Sequence, residues 1–149
     1  MNEFIKIINE IKKLEEKREP EKILEYLSHY SFLVREEAAK AIARTGKHLK
    51  EKILQILMKG YWYEKGACLE ILSEWANEND IDLFLKFLDD KNSYIVEKAA
   101  ISLYKLLKKL PSLPQNLDPS IIKKLYDIFV SLQKKEYSEK IKRDFKDFF

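Results

Sequence analysis

Apolar residues recur at three- and four-residue steps from the start of the chain. Phe4, Ile8, Ile11 and Leu14 form one stripe, which predicts a helix ending near Glu19-Pro20. Pro20 suits the first turn of the next helix, where its missing N–H costs nothing. Gly46 and Gly60 stand where the periodicity stops, and both read as left-handed helix caps. Asp118-Pro119 opens a later helix with a cap residue followed by proline. Between them, Pro111 to Asp118 reads as the one loop of any length.

The stripes repeat. Ile23-Leu24-x-x-Leu27 returns as Ile53-Leu54-x-x-Leu57 and as Phe84-Leu85-x-x-Leu88. Each is followed by a polar turn and a second helix with small residues at fixed places: Val34, Ala38-Ala39 and Ile42, then Tyr63, Ala67-Cys68 and Ile71, then Ile95, Ala99-Ala100 and Leu103. The period is about 30 residues, the scale of a helix–turn–helix repeat. Ile121-Ile122-x-x-Leu125 starts a fourth, degenerate copy, with Ile141, Phe145 and Phe148 in its second helix. One helical hairpin cannot hide its own apolar face, whereas several in a stack bury a shared core, with small residues where helices approach closely. The expected architecture is all-α: an α-solenoid of about nine helices in a single domain over 1–149. Residues 1–19 form an N-terminal capping helix, 20–47, 48–78 and 79–110 the repeats, and 118–149 the C-terminal capping repeat.

Composition agrees with this picture. At 149 residues and 46% hydrophobic, the chain is long enough for one well-buried domain. Three glycines and four prolines are too few for a turn-rich β fold. Charged residues reach 36%, mostly Lys and Glu, a mixture that suits ion-paired amphipathic helices and leans towards a heat-loving source. No apolar run resembles a signal peptide or approaches the roughly 20 residues of a membrane span. A single cysteine, Cys68, points to a reducing, cytoplasmic setting. The net charge is +3, but Trp62–Lys98 is acidic between two basic stretches, which breaks the positive stripe that duplex DNA requires.

Leu88-x-Asp90 followed by Ile95 and Ala99-Ala100, and Val34-Arg35-x-x-Ala38-Ala39-x-Ala41-Ile42, resemble HEAT repeats of the short kind, over Glu21 to about Leu107. The resemblance implies a right-handed solenoid of antiparallel hairpins. In that family the turn aspartate and the arginine after the valine commonly form a hydrogen-bonded ladder between repeats. Here Asp90 keeps the first position and Arg35 the second. His29 and Met58 replace the aspartate, and Glu64 and Val96 replace the arginine, so an interrupted ladder is expected.

Candidate chemistry is sparse. No glycine-rich phosphate loop, C-x-x-C, H-E-x-x-H or Ser-His-Asp arrangement is present, and no catalytic residue, cofactor or metal is expected. His29 and His48 lie in turns without ligand partners at usable spacing. Asp80-x-Asp82 and Asp89-Asp90 read as helix-end and turn residues. Cys68 aligns with Ala39 and Ala100 and reads as a buried thiol. Tyr61-Trp62-Tyr63 aligns with Phe32-Leu33-Val34, so core packing is expected for most of it, with Trp62 the residue left outside.

Function therefore falls to a surface. The exposed side of the second helices is expected to carry Glu37, Ala41 and Arg44, then Gly66, Glu70 and Ser73, then Lys98, Ser102 and Lys105. Together with Trp62 these make a shallow trough for another protein or peptide, and the expected function is a non-enzymatic scaffold. The amphipathic tail Ile141–Phe149 is expected to cap the last repeat, or to join two copies as a homodimer where the chain is not a monomer. The rival is nucleic-acid binding. Some HEAT-like proteins act on alkylated DNA bases through Trp, Asp and Arg in the trough, roles that only Arg44 and Trp62 match here.

Overall fold

The computed structural model describes residues 2–149. Helix accounts for 82% of the chain, and no strand occurs among the described residues, as the periodicity predicts. The chain gathers into two compact units that divide between Trp75 and Ala76.

The first unit begins with α1 (Glu3–Glu16), whose N-cap Asn2 accepts the Phe4 amide at 2.8 Å. α2 (Pro20–Ile23) starts on its proline and runs on as a 3₁₀ turn, Leu24–Ser28. There follow α3 (Phe32–Thr45), a 3₁₀ turn at Lys47–Leu49, α4 (Lys50–Lys59) and α5 (Trp62–Trp75). α3 packs against α1, against the turn before it and against α5, and α4 packs against α5. The repeat register is the burial register. Ile23, Leu27, Ile53 and Leu57 are buried on the first helices, and Val34, Ala38, Ala39 and Ile42 on α3. On α5 the matching Ala67, Cys68 and Ile71 are buried too.

α3 and α5 run parallel. Near their N-terminal ends the Arg35 guanidinium carbon lies 5.1 Å from the Tyr63 ring centre, and near their C-terminal ends the Trp75 indole N–H donates to the Ala43 carbonyl at 2.9 Å. That second bond satisfies the polar edge of a large buried ring.

The second unit holds a 3₁₀ turn at Glu78–Asp80, then α6 (Ile81–Phe87), α7 (Ser93–Lys109), α8 (Leu113–Asn116), α9 (Pro119–Ser131), α10 (Lys135–Asp144) and a final turn at Lys146–Phe148. Asn77 and Asp80 form a reciprocal capping box, and Asn92 caps α7 through the Tyr94 and Ile95 amides. Phe84, Leu88, Ile95, Ala99, Ala100 and Leu103 are buried, again in register. Ile122, Leu125 and Phe129 of α9 meet Ile141 and Phe145, so the tail helix covers apolar surface of its own unit. The expected loop at 111–118 contains the one-turn α8, anchored by buried Leu113 and Pro114.

The left-handed caps are not at the glycines. Gly46 has φ −115° and Gly60 has φ −76°, and each donates its amide to the carbonyl four residues back at 2.7 Å. Positive φ occurs instead at Arg18 (55°) and Gln133 (58°). Gly60 is required for closeness: a Cβ there would lie 2.6 Å from the Ile56 carbonyl oxygen, a backbone atom that cannot swing away. Gly60→Ala is therefore expected to lower stability by about 1–3 kcal/mol, through a shift of the α4–α5 turn. Thermal melting beside a Lys59→Ala control checks this, and equal melting of the two variants would contradict it.

In the second unit Asp144 accepts the Tyr104 hydroxyl at 2.7 Å and Arg143 Nε at 3.2 Å, and Lys108 Nζ lies 3.3 Å away. Burial pushes the Asp144 carboxyl up, but these bonds outweigh it and hold its pKa below the usual value. Burial, then the same bond, pushes Tyr104 up to about 12. Because the folded-state pKa of Asp144 is depressed, its stabilisation is present above the ordinary aspartate pKa and is lost as pH falls through the lower folded value. Asp144→Asn is expected to cost about 1–3 kcal/mol at neutral pH and to converge with the wild type in stronger acid. Melting across a pH series reads this, and a difference that stays constant with pH would contradict it.

Candidate functional site

The Tyr61-Trp62-Tyr63 stretch is more exposed than its alignment with the core positions implies. Tyr61 is 69% exposed and Trp62 47%, while Tyr63 alone is half-buried. Phe32 and Leu33, at the same place on α3, are each 50% exposed, and Tyr30 just before them is 72% exposed. Core packing expected for Tyr61 is thus corrected, while Trp62 is exposed as expected. In both helices only the third of the three bulky residues, Val34 or Tyr63, falls on the inward stripe, and one helical turn cannot turn its neighbours the same way.

These side chains form a connected edge at the N-terminal ends of the two parallel helices. Tyr61 stacks on Tyr63 with ring centres 5.6 Å apart and planes 16° apart, and Trp62 meets Tyr63 edge-on at 5.4 Å. The Arg35 guanidinium lies between the Tyr63 ring, at 5.1 Å, and the Phe32 ring, at 6.0 Å. Beyond it, His29 stacks on Tyr30 at 4.5 Å, and Phe4 of α1 meets both rings edge-on. Contiguous exposed apolar surface of this kind is uncommon on a folded domain.

Arg35 is the chemical oddity of the edge. It is only 8% exposed, its Nη1 donates to the His29 carbonyl at 2.8 Å, and its buried Nε–H has no acceptor. Among the described residues no carboxylate comes within ion-pair distance of it. A buried guanidinium normally has a counter-ion, because removing it from water costs several kcal/mol. Here a carbonyl and two ring faces are the whole compensation.

The second-helix residues expected to form a trough are placed differently. Glu37, Arg44, Trp62, Glu70 and Ser73 belong to the first unit; Lys98, Ser102 and Lys105 belong to the second. Ser73 and Ser102 are buried rather than exposed, each turning its hydroxyl back to a carbonyl of its own helix, Glu70 or Lys98, at 2.7 Å. Ala41 and Gly66 are buried as well, so the small residues serve close packing and not the floor of a trough. Arg44 grips Glu15 of α1 with both Nε and Nη2, the latter at 2.8 Å, and holds the Glu15 carboxyl below its usual pKa, chiefly through that bond. Glu37 sits 3.8 Å from Lys40, Lys98 lies over the Tyr94 ring, and Lys105 is exposed.

Other candidate chemistry comes to little. Burial pushes the Cys68 thiol far up, and the nearby Glu64 adds to this, so a thiolate nucleophile is disfavoured. No group of three His, Cys, Asp or Glu residues is placed to hold a metal among the described residues, and no helix is long and apolar enough to cross a membrane. A cleft of about 510 Å³ between the start of α7 and the length of α9 is lined by Lys91, Lys123, Lys124 and Asp90. Two of its polar groups are engaged within the unit: Lys124 with Asp89 at 2.7 Å, and Asp90 with the Asn92 amide at 2.9 Å.

Comparison with family models finds no match, nor does comparison with curated proteins or with solved structures.

Sequence reading passed over Tyr30, Phe32, Leu33 and Arg35. If Arg35 is held for recognition, replacing it by an apolar residue of similar length will cost little. Arg35→Met is expected to change stability by less than about 1 kcal/mol in either direction. Chemical denaturation checks this, and a larger loss would assign Arg35 to the architecture instead.

Proposed function

We propose that this protein is a non-enzymatic, HEAT-like scaffold of stacked helical hairpins whose role is to bind another protein. The single observation that carries the reading is the exposed aromatic edge of the first unit, built by Tyr30, Phe32, Tyr61 and Trp62 around Arg35. Tyr, Trp and Arg are the side chains that concentrate binding energy in protein interfaces, because each joins a large apolar area to a polar tip. Support for the hairpin repeat comes from the register in which Ala38-Ala39, Ala67-Cys68 and Ala99-Ala100 are buried. The interaction surface shifts from the second-helix face to the helix ends, since Ser73 and Ser102 face inward and Arg44 is already paired.

Nucleic acid is the weaker reading. Arg44 and Trp62 were its candidate residues, and Arg44 is committed to Glu15. Strand binding also needs several accessible cations along a groove.

The test is affinity capture from the source cells with the wild-type chain and with a Tyr61→Ser/Trp62→Ser double variant. Both positions are exposed, so the variant should melt within about 0.5 kcal/mol of wild type. A discrete set of captured proteins is expected to fall about tenfold or more with the variant. An unchanged set, or captured material consisting of nucleic acid, would contradict the proposal.

A further inference from the structure

The partner's chemistry follows from what the edge lacks. α3 and α5 are each 14 residues long and bring their N-terminal ends to the same edge. Each end carries about half a positive charge from its unpaired amides. Between them lies Arg35, nine-tenths buried, with a single hydrogen bond for its five N–H donors and an orphaned Nε–H.

Glu64 in the first turn of α5 caps that helix end and offsets its charge, the first turn of α3 carries no acid, and neither Glu64 nor Glu36 pairs with Arg35. Glu64 Oε1 accepts the Tyr61 amide at 3.0 Å, and Glu36 lies 3.7 Å from Lys40. The edge is therefore an apolar surface with one uncompensated positive centre. It complements a ligand that is apolar with one negative centre.

We infer that the aromatic edge takes an acidic, apolar peptide segment: a carboxylate settles at Arg35 beside the N-terminal end of α3, and flanking aromatic or aliphatic residues lie on Phe32, Tyr61 and Trp62. This rests on the protein-binding reading above and names the partner's chemistry. A carboxylate supplies the planar acceptor pair that suits a guanidinium fork. A nucleic-acid strand fits less well, because its charge repeats at every nucleotide and this edge buries one cation. Steering by Arg35 and that helix end would also make association faster at low salt.

The experiment selects binders to the full chain from a random-peptide display library. The consensus is then measured as a fluorescein-labelled peptide by polarisation, beside its Glu→Gln or Asp→Asn counterpart and a labelled oligothymidylate. Enriched sequences are expected to place an acid next to aromatic or aliphatic residues. Amidating the acid, or substituting Arg35→Gln, is expected to weaken binding about tenfold or more. The amide peptide reads the contact from the ligand side, so the result stands even where Arg35→Gln folds poorly. A consensus without acids that still loses affinity with Tyr61→Ser/Trp62→Ser overturns this inference and leaves the protein-binding edge in place. Peptides that bind the double variant as well as wild type overturn both. An empty selection, or oligothymidylate binding more tightly than the peptide in an Arg35-dependent way, overturns the acidic-peptide assignment.

Discussion

The close, parallel approach of α3 and α5 is the constraint from which the rest of the first unit follows. Two helices can come this near only where side chains are small, and the facing stretches carry Ala38, Ala39 and Ala41 on one side and Gly66, Ala67 and Cys68 on the other, all buried. Bulky residues have no room along that seam, so they collect at its ends. At one end Trp75 folds in and is satisfied by the Ala43 carbonyl. At the other, Phe32, Leu33, Tyr61 and Trp62 are left in solvent, with Arg35 and Tyr63 filling the space between the helices. The aromatic edge is thus a by-product of tight packing that has been furnished with unusually large side chains.

Electrostatics separates this edge from the polar contacts elsewhere. Arg44 meets Glu15 as a two-point fork, which is how an arginine at a helix contact is ordinarily satisfied. In the second unit the Tyr104–Asp144 pair is closed by Lys108 and Arg143, a network whose members answer one another. Arg35 has none of this. Its position just after Val34 fixes it to the inner edge of α3, and with His29 standing where an aspartate could have met it, it receives a backbone carbonyl and two ring faces. The N-terminal end of α3, with no acid in its first turn, adds positive charge beside it.

The all-helical class and much of the core were legible in the sequence: Ile23 and Leu27, Ile53 and Leu57, Phe84 and Leu88 are each buried where the alignment puts them. Apolar periodicity is a direct record of which face meets the core. The candidate site was not legible, for reasons that can be named. Aligning Tyr61-Trp62-Tyr63 with Phe32-Leu33-Val34 left Trp62 outside, as it is, but it carried the inward role of Val34 to Tyr61 as well as Tyr63 when helical geometry allows it only to Tyr63. Ser73 and Ser102 looked like surface residues because serine is usually exposed, yet a serine that bonds its own helix can sit inside at little cost. Gly46 and Gly60 looked like left-handed caps because glycine often is one; at both, the ordinary backbone angles leave close approach, not φ, as the reason for the missing side chain.

The central claim, an aromatic edge that stays open and carries a positive field, is most directly tested by quenching tryptophan fluorescence with iodide and with caesium. The chain has two tryptophans, so Trp75→Phe isolates Trp62 and Trp62→Phe isolates Trp75. Trp62 should be readily quenched, and more strongly by the anion than by the cation, while Trp75 should be protected from both. A shielded Trp62, or one quenched by caesium as well as by iodide, would contradict the account.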